Sequence, residues 1–332
     1  MIRASVVIPT RDRAPMLVRC LESLARQTLP TDAFEVIVVD NASSDATADV
    51  ASRYEGALNL RYVFAPEPGL HVGRHAGCSV ASSEILIYAD DDIEAEPTWV
   101  EAVVDAFRDS RVGLVGGNNL PRFESAPPEW LNLLWSRRVR LGRALPYLSI
   151  LDFGGGRFAV DPHYVWGCNF SVRRDVLRAA GGFHPDSLPQ ELLKLRGDGE
   201  SHVAKFVAGR GLITLFDSAA SVYHFVGNSR MTQDYFERRG YAQGISDSYS
   251  AVRSAGAPRT SFRQTIYAHL RPVVAGLRER LHALGGQDSA HRSLVGVQVA
   301  ALNAWRKGYL FHQAAVLQDA SLLEWVLKES YL

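Results

Sequence analysis

Only three of the 332 residues are cysteine and only four are lysine. Cys20, Cys78 and Cys168 lie far apart and form no C-x-x-C pair, which argues against a disulfide framework and against a cysteine-built zinc site. With so few lysines (Lys194, Lys205, Lys307 and Lys328), positive charge rests on arginine. Lys+Arg and Asp+Glu both number 36, so no global field draws the chain to nucleic acid or to an anionic membrane. No run of about 18 apolar residues occurs. Residues 1–15 carry Arg3, Arg11, Asp12 and Arg13 and lack the apolar core of a signal peptide. The expectation is a cytoplasmic protein, at most peripheral at the inner face of the membrane. Two nucleotide-binding motifs are also missing. The turn after the first apolar run is Pro9-Thr10-Arg11-Asp12-Arg13, without the G-x-G-x-x-G of a dinucleotide-binding unit, and there is no G-x-x-x-x-G-K-[ST].

What is present is an apolar fraction of 47%, enough for a full α/β core. Short β-branched runs predict strands at Ala4 to Ile8, Phe34 to Val39, Leu60 to Phe64, Ile85 to Tyr88 and Val112 to Val115, with helical patterns between them. That alternation implies a mostly parallel sheet with helices on both faces. Ser44 is placed to cap the helix that follows, and Pro97 suits a first helical turn. From Pro121 to Pro162 the pattern loosens and reads as a partly helical excursion with loops. Patterning returns with a strand at Gly167 to Val172, helices at Arg174 to Ala180 and Gly199 to Ala208, and a strand at Leu212 to Phe216. Beyond residue 228 the chain reads helical, interrupted near Gly285-Gly286. The expected division is a catalytic domain over 1–227, with halves of about 1–116 and 117–227, and a helical region over 228–332.

Open parallel sheets bind ligands beyond the carboxyl ends of their strands. There the sequence places Pro9-Thr10-Arg11-Asp12, Asp40-Asn41 and Asp90-Asp91-Asp92. Three adjacent carboxylates repel one another unless a positive partner neutralises them. A divalent cation, Mn²⁺ or Mg²⁺, is the simplest such partner, since these ions take one or two carboxylates and leave other positions for phosphate and water. The ordinary alternative is a solvated acidic turn that caps the next helix.

Four segments in order resemble the family 2 glycosyltransferases: Ser5 to Arg11, Val36 to Asp45, Gly69 to Gly77, and Asp90-Asp91-Asp92. The resemblance covers roughly residues 4 to 245. It implies a GT-A fold, Rossmann-like with a mixed sheet, followed by a C-terminal helical extension. It also implies an inverting, metal-dependent sugar transfer of the hexosyltransferase type from a nucleoside diphosphate, UDP being the commonest in the family. By similarity Pro9, Thr10 and Arg11 line the nucleoside pocket, Asp40 meets the base, Arg74 faces the nucleotide, Asp90 and Asp91 sit near base and ribose, and Asp92 holds the metal. The chain departs from the family at Arg74-His75, where Arg-Asn is frequent.

In the second half, Trp166-Gly167-Cys168-Asn169 resembles the segment that lies under the donor sugar and shapes the acceptor pocket. Gly197-Asp198-Gly199-Glu200 resembles the family's E-D-x-D/E pattern, which makes Asp198 the expected base, with Glu200 in reserve; Gly197 stands where an acidic residue is usual. A carboxylate is needed there because a sugar hydroxyl is a poor nucleophile until its proton is taken. Both acids also suit a helix N-terminus on electrostatic grounds alone. By the resemblance His224 completes the metal site or contacts the diphosphate, while Arg230, Arg238 and Arg239 either close over the phosphates or form a solvated face.

Two other readings fit the same crevice: a sugar-phosphate nucleotidyltransferase and a non-catalytic nucleotide-sugar-binding protein. The first lacks its glycine-rich loop, and the second does not need Asp92, Asp198 and His224 together. The missing Q-x-x-R-W motif argues against a processive synthase. The acceptor, whether glycan, lipid-linked or small molecule, is not legible, and Trp130, Trp135 and Trp166 are compatible with any of them. The apolar stripe through Trp305, Leu310, Leu322, Leu323, Trp325 and Val326 is expected to pack on the domain or on a second copy. The rarer alternative is a membrane-surface helix with Arg271, Arg278, Arg280 and Arg306 near lipid phosphates.

Overall fold

The computed structural model describes residues 2–258 and 289–332. The segment Phe262 to Leu284, with Arg271, Arg278 and Arg280, and the Gly285-Gly286 interruption lie outside the described residues. In chain order the strands are β1 (Ala4–Thr10), β2 (Phe34–Asp40), β3 (Leu60–Phe64), β4 (Ile85–Ala89), β5 (Ile93–Ala95), β6 (Val112–Gly116), β7 (Asn119–Phe123), β8 (Arg138–Val139), β9 (Gly142–Leu145), β10 (Ile150–Asp152), β11 (Arg157–Ala159), β12 (Asn169–Arg173), β13 (Ile213–Asp217) and β14 (Val222–Val226).

The main sheet runs β11-β13-β6-β12-β4-β1-β2-β3. β1 is parallel to β2 and β4, and β2 to β3. β12 enters antiparallel between β4 and β6, so the sheet is mixed, as expected. All seven residues of β1 and of β2 are buried, because helices cover both faces of the sheet. Helices Ala14–Leu24 and Trp99–Ala106 pack one face through Leu17, Leu21, Trp99 and Val103. Helices Leu70–Val80 and Ser201–Gly209 pack the other through Cys78, Val203 and Val207.

The stretch from Pro121 to Pro162, expected as a partly helical excursion with loops, supplies most strands of a second sheet. Its order is β5-β14-β7-β10-β9-β8, and helix Glu129–Ser136 is the one α-helix within the stretch. Several of its strands have only two to four residues, too few for the alternation of a half-buried strand to show in sequence. Trp130 and Trp135 help to build the core beneath this sheet: Trp130 meets Phe236 edge-on at 5.2 Å and Trp135 is buried against Leu131 and Leu145. Ser44 does not cap the second helix, which begins at Thr47. Asp45 accepts hydrogen bonds there from the backbone N–H of Thr47 and of Ala14, tying two helix starts together. Pro97 lies two residues ahead of its helix.

Helix Ser289–Gln318 lies along helix Gln233–Ala255 at very close range. A Cβ on Gly244 would meet the Trp305 carbonyl oxygen at 2.0 Å, and one on Gly308 the Tyr241 carbonyl oxygen at 2.0 Å, so only glycine permits the approach. Trp305, Leu322 and Val326 are buried in the chain's own fold. The end of the chain turns back on the sheet domain. Arg253 donates to the carbonyls of Val326 and Lys328, and the Tyr331 N–H donates to the Gly181 carbonyl at 2.9 Å. Among the described residues no helix is long and apolar enough to cross a membrane.

Candidate functional site

The ends of β1, β2 and β4 open into a cleft of about 520 Å³ lined by Pro9, Thr10, Arg11, Asn41, Asp90 and Asp91, with Leu188 and Pro189 opposite. Such a volume suits a nucleotide-sized ligand. The Thr10 hydroxyl donates to Asp91 at 2.7 Å and Arg13 donates to the other Asp91 oxygen at 2.6 Å. Burial pushes the Asp91 carboxyl up, Arg13 pulls against it and Asp92 adds to the rise, leaving it at about 7. Asp40 is buried and accepts from the Ser43 N–H and the Tyr62 hydroxyl, both at 2.7 Å. Asn41 pins the loop before helix Leu70–Val80 by donating to the Ala65 and Glu67 carbonyls and accepting from Gly69. Arg11 stays half-exposed at the rim.

Asp90, Asp92 and His224 each turn one ligand atom toward a common point, and these atoms lie within 4.8 Å of one another. His224 sits inside β14 rather than after a turn. The antiparallel pairing of β14 with β5 sets it opposite Ile93, and so beside Asp92, with Nε2 3.2 Å from Oδ1. That Asp92 oxygen is buried with His224 as its close polar neighbour and no well-aligned hydrogen bond, which leaves it able to meet a cation. Two carboxylates and an imidazole are a donor set that Mn²⁺ accepts readily and Mg²⁺ tolerates, so the residues fit a divalent ion. Burial opposes charge on Asp92, but His224, Arg13 and Arg230 outweigh it and hold its carboxyl well below the usual range. Arg230 approaches Asp92 at 3.3 Å. Asp90 therefore joins the ligand cluster, while Asp91 is taken up by Thr10 and Arg13.

Behind this cluster lies Arg74, only 2% exposed. Its guanidinium stands 3.7 Å from Asp90 and 3.5 Å from Glu200, with its carbon 5.0 Å from the centre of the Phe183 ring. Gly167 makes the room, since a Cβ there would fall 2.1 Å from Arg74 Nη2. The Gly167 N–H donates to Glu200 at 3.1 Å. Burial opposes the Arg74 charge, yet Glu200 and Asp90 keep the guanidinium firmly protonated. One arginine thus links a carboxylate of the Asp90-Asp92-His224 cluster to Glu200.

Asp198 points away from this centre. Its two oxygens are taken by His184 Nδ1 at 2.6 Å, Lys205 at 2.8 Å and the Ser250 hydroxyl at 2.6 Å. Burial opposes its charge, but His184 and Lys205 more than offset this and hold the carboxyl well below the usual range. Gly199, at φ +54°, separates the two acids and lets them face apart. The side chain of Asn169 is spent in the core, accepting from the Trp99 indole at 2.9 Å and donating to the Ala220 carbonyl at 2.9 Å. Cys168 is likewise buried, and the Trp166 indole N–H donates to the His163 carbonyl. Of the four residues expected under the donor sugar, Gly167 is the one that touches Arg74 and Glu200.

Sequence reasoning did not single out Arg13, although its place two residues past Arg11 on a strand-end turn was the available signal. It also missed Leu188 and Pro189, for which no signal exists because only the fold brings them over the cleft.

Comparison with known proteins bears on this geometry. The model for glycosyl transferase family 2 matches residues 5–180. Validoxylamine A glucosyltransferase of Streptomyces hygroscopicus subsp. jinggangensis is 33% identical over 202 residues, which cover 55% of this chain and 47% of that protein. Glycosyltransferase AglE of Haloferax volcanii is 35% identical over 116 residues, covering 34% of this chain and 38% of that protein. The chain thus spans about half, or less, of the length of these curated relatives. A solved mannosyltransferase, PcManGT from Pyrobaculum calidifontis in complex with GDP-Man and Mn²⁺, superposes with a TM-score of 0.57 at 21% identity, covering 93% of this chain and 87% of that one. That likeness extends to the whole fold, which is of the GT-A type with a C-terminal helical region.

Proposed function

This chain belongs to glycosyl transferase family 2, and from that premise we propose that it moves a sugar from a nucleoside diphosphate, UDP first among the candidates, onto an acceptor hydroxyl with inversion at the anomeric carbon. One observation carries the reading. Asp90, Asp92 and His224 converge beside a nucleotide-sized cleft, and Arg74 joins that cluster to Glu200 in the adjoining cavity.

In this reading Pro9, Thr10, Arg11 and Asp40 surround the nucleoside, and Asp92 and His224, together with Asp90, hold a divalent ion. When bound, the ion supplies positive charge for the departing diphosphate. Arg230, next to Asp92, adds a guanidinium suited to phosphate oxygens. Glu200 takes the acceptor proton as the acceptor oxygen bonds to the anomeric carbon, and the bond from that carbon to the diphosphate oxygen breaks on the opposite side. Glu200 is chosen over Asp198 because Asp198 has every oxygen engaged by His184, Lys205 and Ser250, whereas Glu200, beside Arg74 and the Gly167 N–H, keeps a side chain 24% exposed to the cavity next to the cleft. Arg74 keeps Glu200 and Asp90 apart and oriented, and Gly167 gives it the room to do so.

Calorimetric titration with UDP, GDP, dTDP and NAD, with Mn²⁺ or with chelator, tests the reading. We expect nucleoside diphosphate binding that needs the metal and is lost in Asp92→Ala. Metal-independent binding, or a preference for NAD, would overturn it.

A further inference from the structure

Two more cavities adjoin the reactive centre. One, of about 290 Å³, is lined by Glu200, Asp198, Lys205, Arg196 and Arg239. The other, of about 740 Å³, is lined by Leu188, Lys194, Tyr235, Arg238, Arg239 and Phe311 among others. Arg196 and Arg239 border both, and Leu188 borders both the larger cavity and the nucleotide cleft.

The cations along these walls differ in one respect. Arg196 is paired with Asp186 at 2.6 Å, Lys205 with Asp198 at 2.8 Å, Lys194 with Asp319 at 3.0 Å, and Arg238 with Asp234 on its own helix. Arg239 feels the Asp186 charge at longer range but makes no close ion pair or hydrogen bond among the described residues, and its Nε is buried without a partner. A half-buried guanidinium is costly to leave unsatisfied. Arg239 does not border the nucleotide cleft, so the donor diphosphate is not its natural partner.

We propose that Arg239 receives a phosphate group of the acceptor, so that the enzyme glycosylates a phosphate-bearing acceptor whose reacting hydroxyl lies against Glu200. This rests on the transferase reading above. A phosphate suits this wall because a guanidinium fork can hold two of its oxygens at once, and Glu191 is the one acid among the residues lining the larger cavity. The rest of that cavity is apolar or aromatic, with Leu193, Tyr235, Tyr241 and Phe311, the last 43% exposed. The phosphate therefore belongs either to a soluble ester or to the headgroup of an apolar chain, and both present the same group to Arg239.

The test uses the full chain in chelator, so that no metal competes for phosphate. Glycerol 3-phosphate, hexyl phosphate and glycerol are titrated calorimetrically into the native protein, Arg239→Ala and Arg238→Ala. We expect both phosphates to bind and glycerol not to. Arg239→Ala should weaken the phosphates at least tenfold, and Arg238→Ala, already paired with Asp234, should change them little. Hexyl phosphate binding more tightly than glycerol 3-phosphate supports an apolar-chain acceptor, and equal binding supports a soluble one. Phosphate binding that is absent, or that Arg239→Ala leaves intact, overturns the proposal. A separate titration with UDP and Mn²⁺ reads the donor site, and Arg239→Ala should leave it unchanged. Loss of UDP binding in the native protein would count against the transferase reading alone.

Discussion

Replacing Asp198 and Glu200 one at a time separates a structural carboxylate from a reacting one, and the two substitutions should fail in opposite ways. In Asp198→Ala, His184 loses its only carboxylate, and Lys205 and Ser250 lose a shared acceptor. Removing one partner from a buried charged cluster costs about 3–5 kcal/mol. Lys205 is 47% exposed and regains water, which reduces the figure to about 2–3 kcal/mol. For a chain of this size that lowers Tm by about 3–4 °C. Because the folded Asp198 carboxyl is held low, its stabilisation is complete above the ordinary aspartate range and fades as acid protonates it. The gap between native and Asp198→Ala should therefore be widest near neutrality and close in strong acid. Glu200→Gln keeps the shape, can still accept from Gly167 and leaves Arg74 beside Asp90, so Tm should fall by less than in Asp198→Ala. Loss of a general base should nevertheless lower turnover by about 10²–10⁴-fold. The assay pairs thermal melts with release of nucleoside diphosphate from a donor, and Mn²⁺-dependent UDP affinity serves as the control. Normal melting with abolished turnover in Asp198→Ala, together with an active Glu200→Gln, would refute the assignment and return the base to Asp198.

Other expectations follow from single contacts. Gly167→Ala drives a methyl into Arg74 Nη2, so it should cost about 1–3 kcal/mol and weaken metal-dependent nucleotide binding, both measurable on one purified protein. Gly244→Ala should push apart helices Gln233–Ala255 and Ser289–Gln318 and lower Tm without altering UDP affinity; an unchanged melt would mean that the helices tolerate separation. Burial holds His71, His202 and His312 at about 4, well below an ordinary histidine. The unfolded chain then binds more protons between about pH 4 and 6.5, so stability should fall as pH drops through that window, and His312→Gln should flatten the slope of Tm against pH by about one proton.

Much of the main sheet is legible in the residues, because β1, β2 and β4 are largely apolar runs that lead into Thr10, Asp40 and Asp90. Covered on both faces, such strands need no partner to declare themselves. The second sheet was hidden for the opposite reason. Strands as short as Arg138–Val139 and Ile150–Asp152 take their conformation from neighbours, and Pro121 inside β7 argues locally against a strand. His224 could be named as a ligand by resemblance, but its approach to Asp92 depends on the β14–β5 register, which no single segment encodes. Asp198 and Glu200 lie two residues apart, and sequence cannot show which one meets Arg74 when a left-handed glycine stands between them. Asn169 illustrates a further limit, since an amide bound on both sides by Trp99 and Ala220 looks the same in sequence as one that reaches a ligand.

The return of the chain to Gly181 has a consequence for the order in which the site can form. Tyr331 bonds to Gly181, and Leu332 fills the space beside Gly182. The next residue, Phe183, carries the ring under Arg74, and its N–H donates to His75. The wall behind the donor cleft is thus assembled from residues some 150 positions apart. On a ribosome, where the nucleotide half emerges early, that half should bind nucleotide poorly until residues 328–332 arrive to brace the turn. A chain cut after Leu327 should show the same weakness, and full nucleotide affinity in that fragment would mean the brace is dispensable.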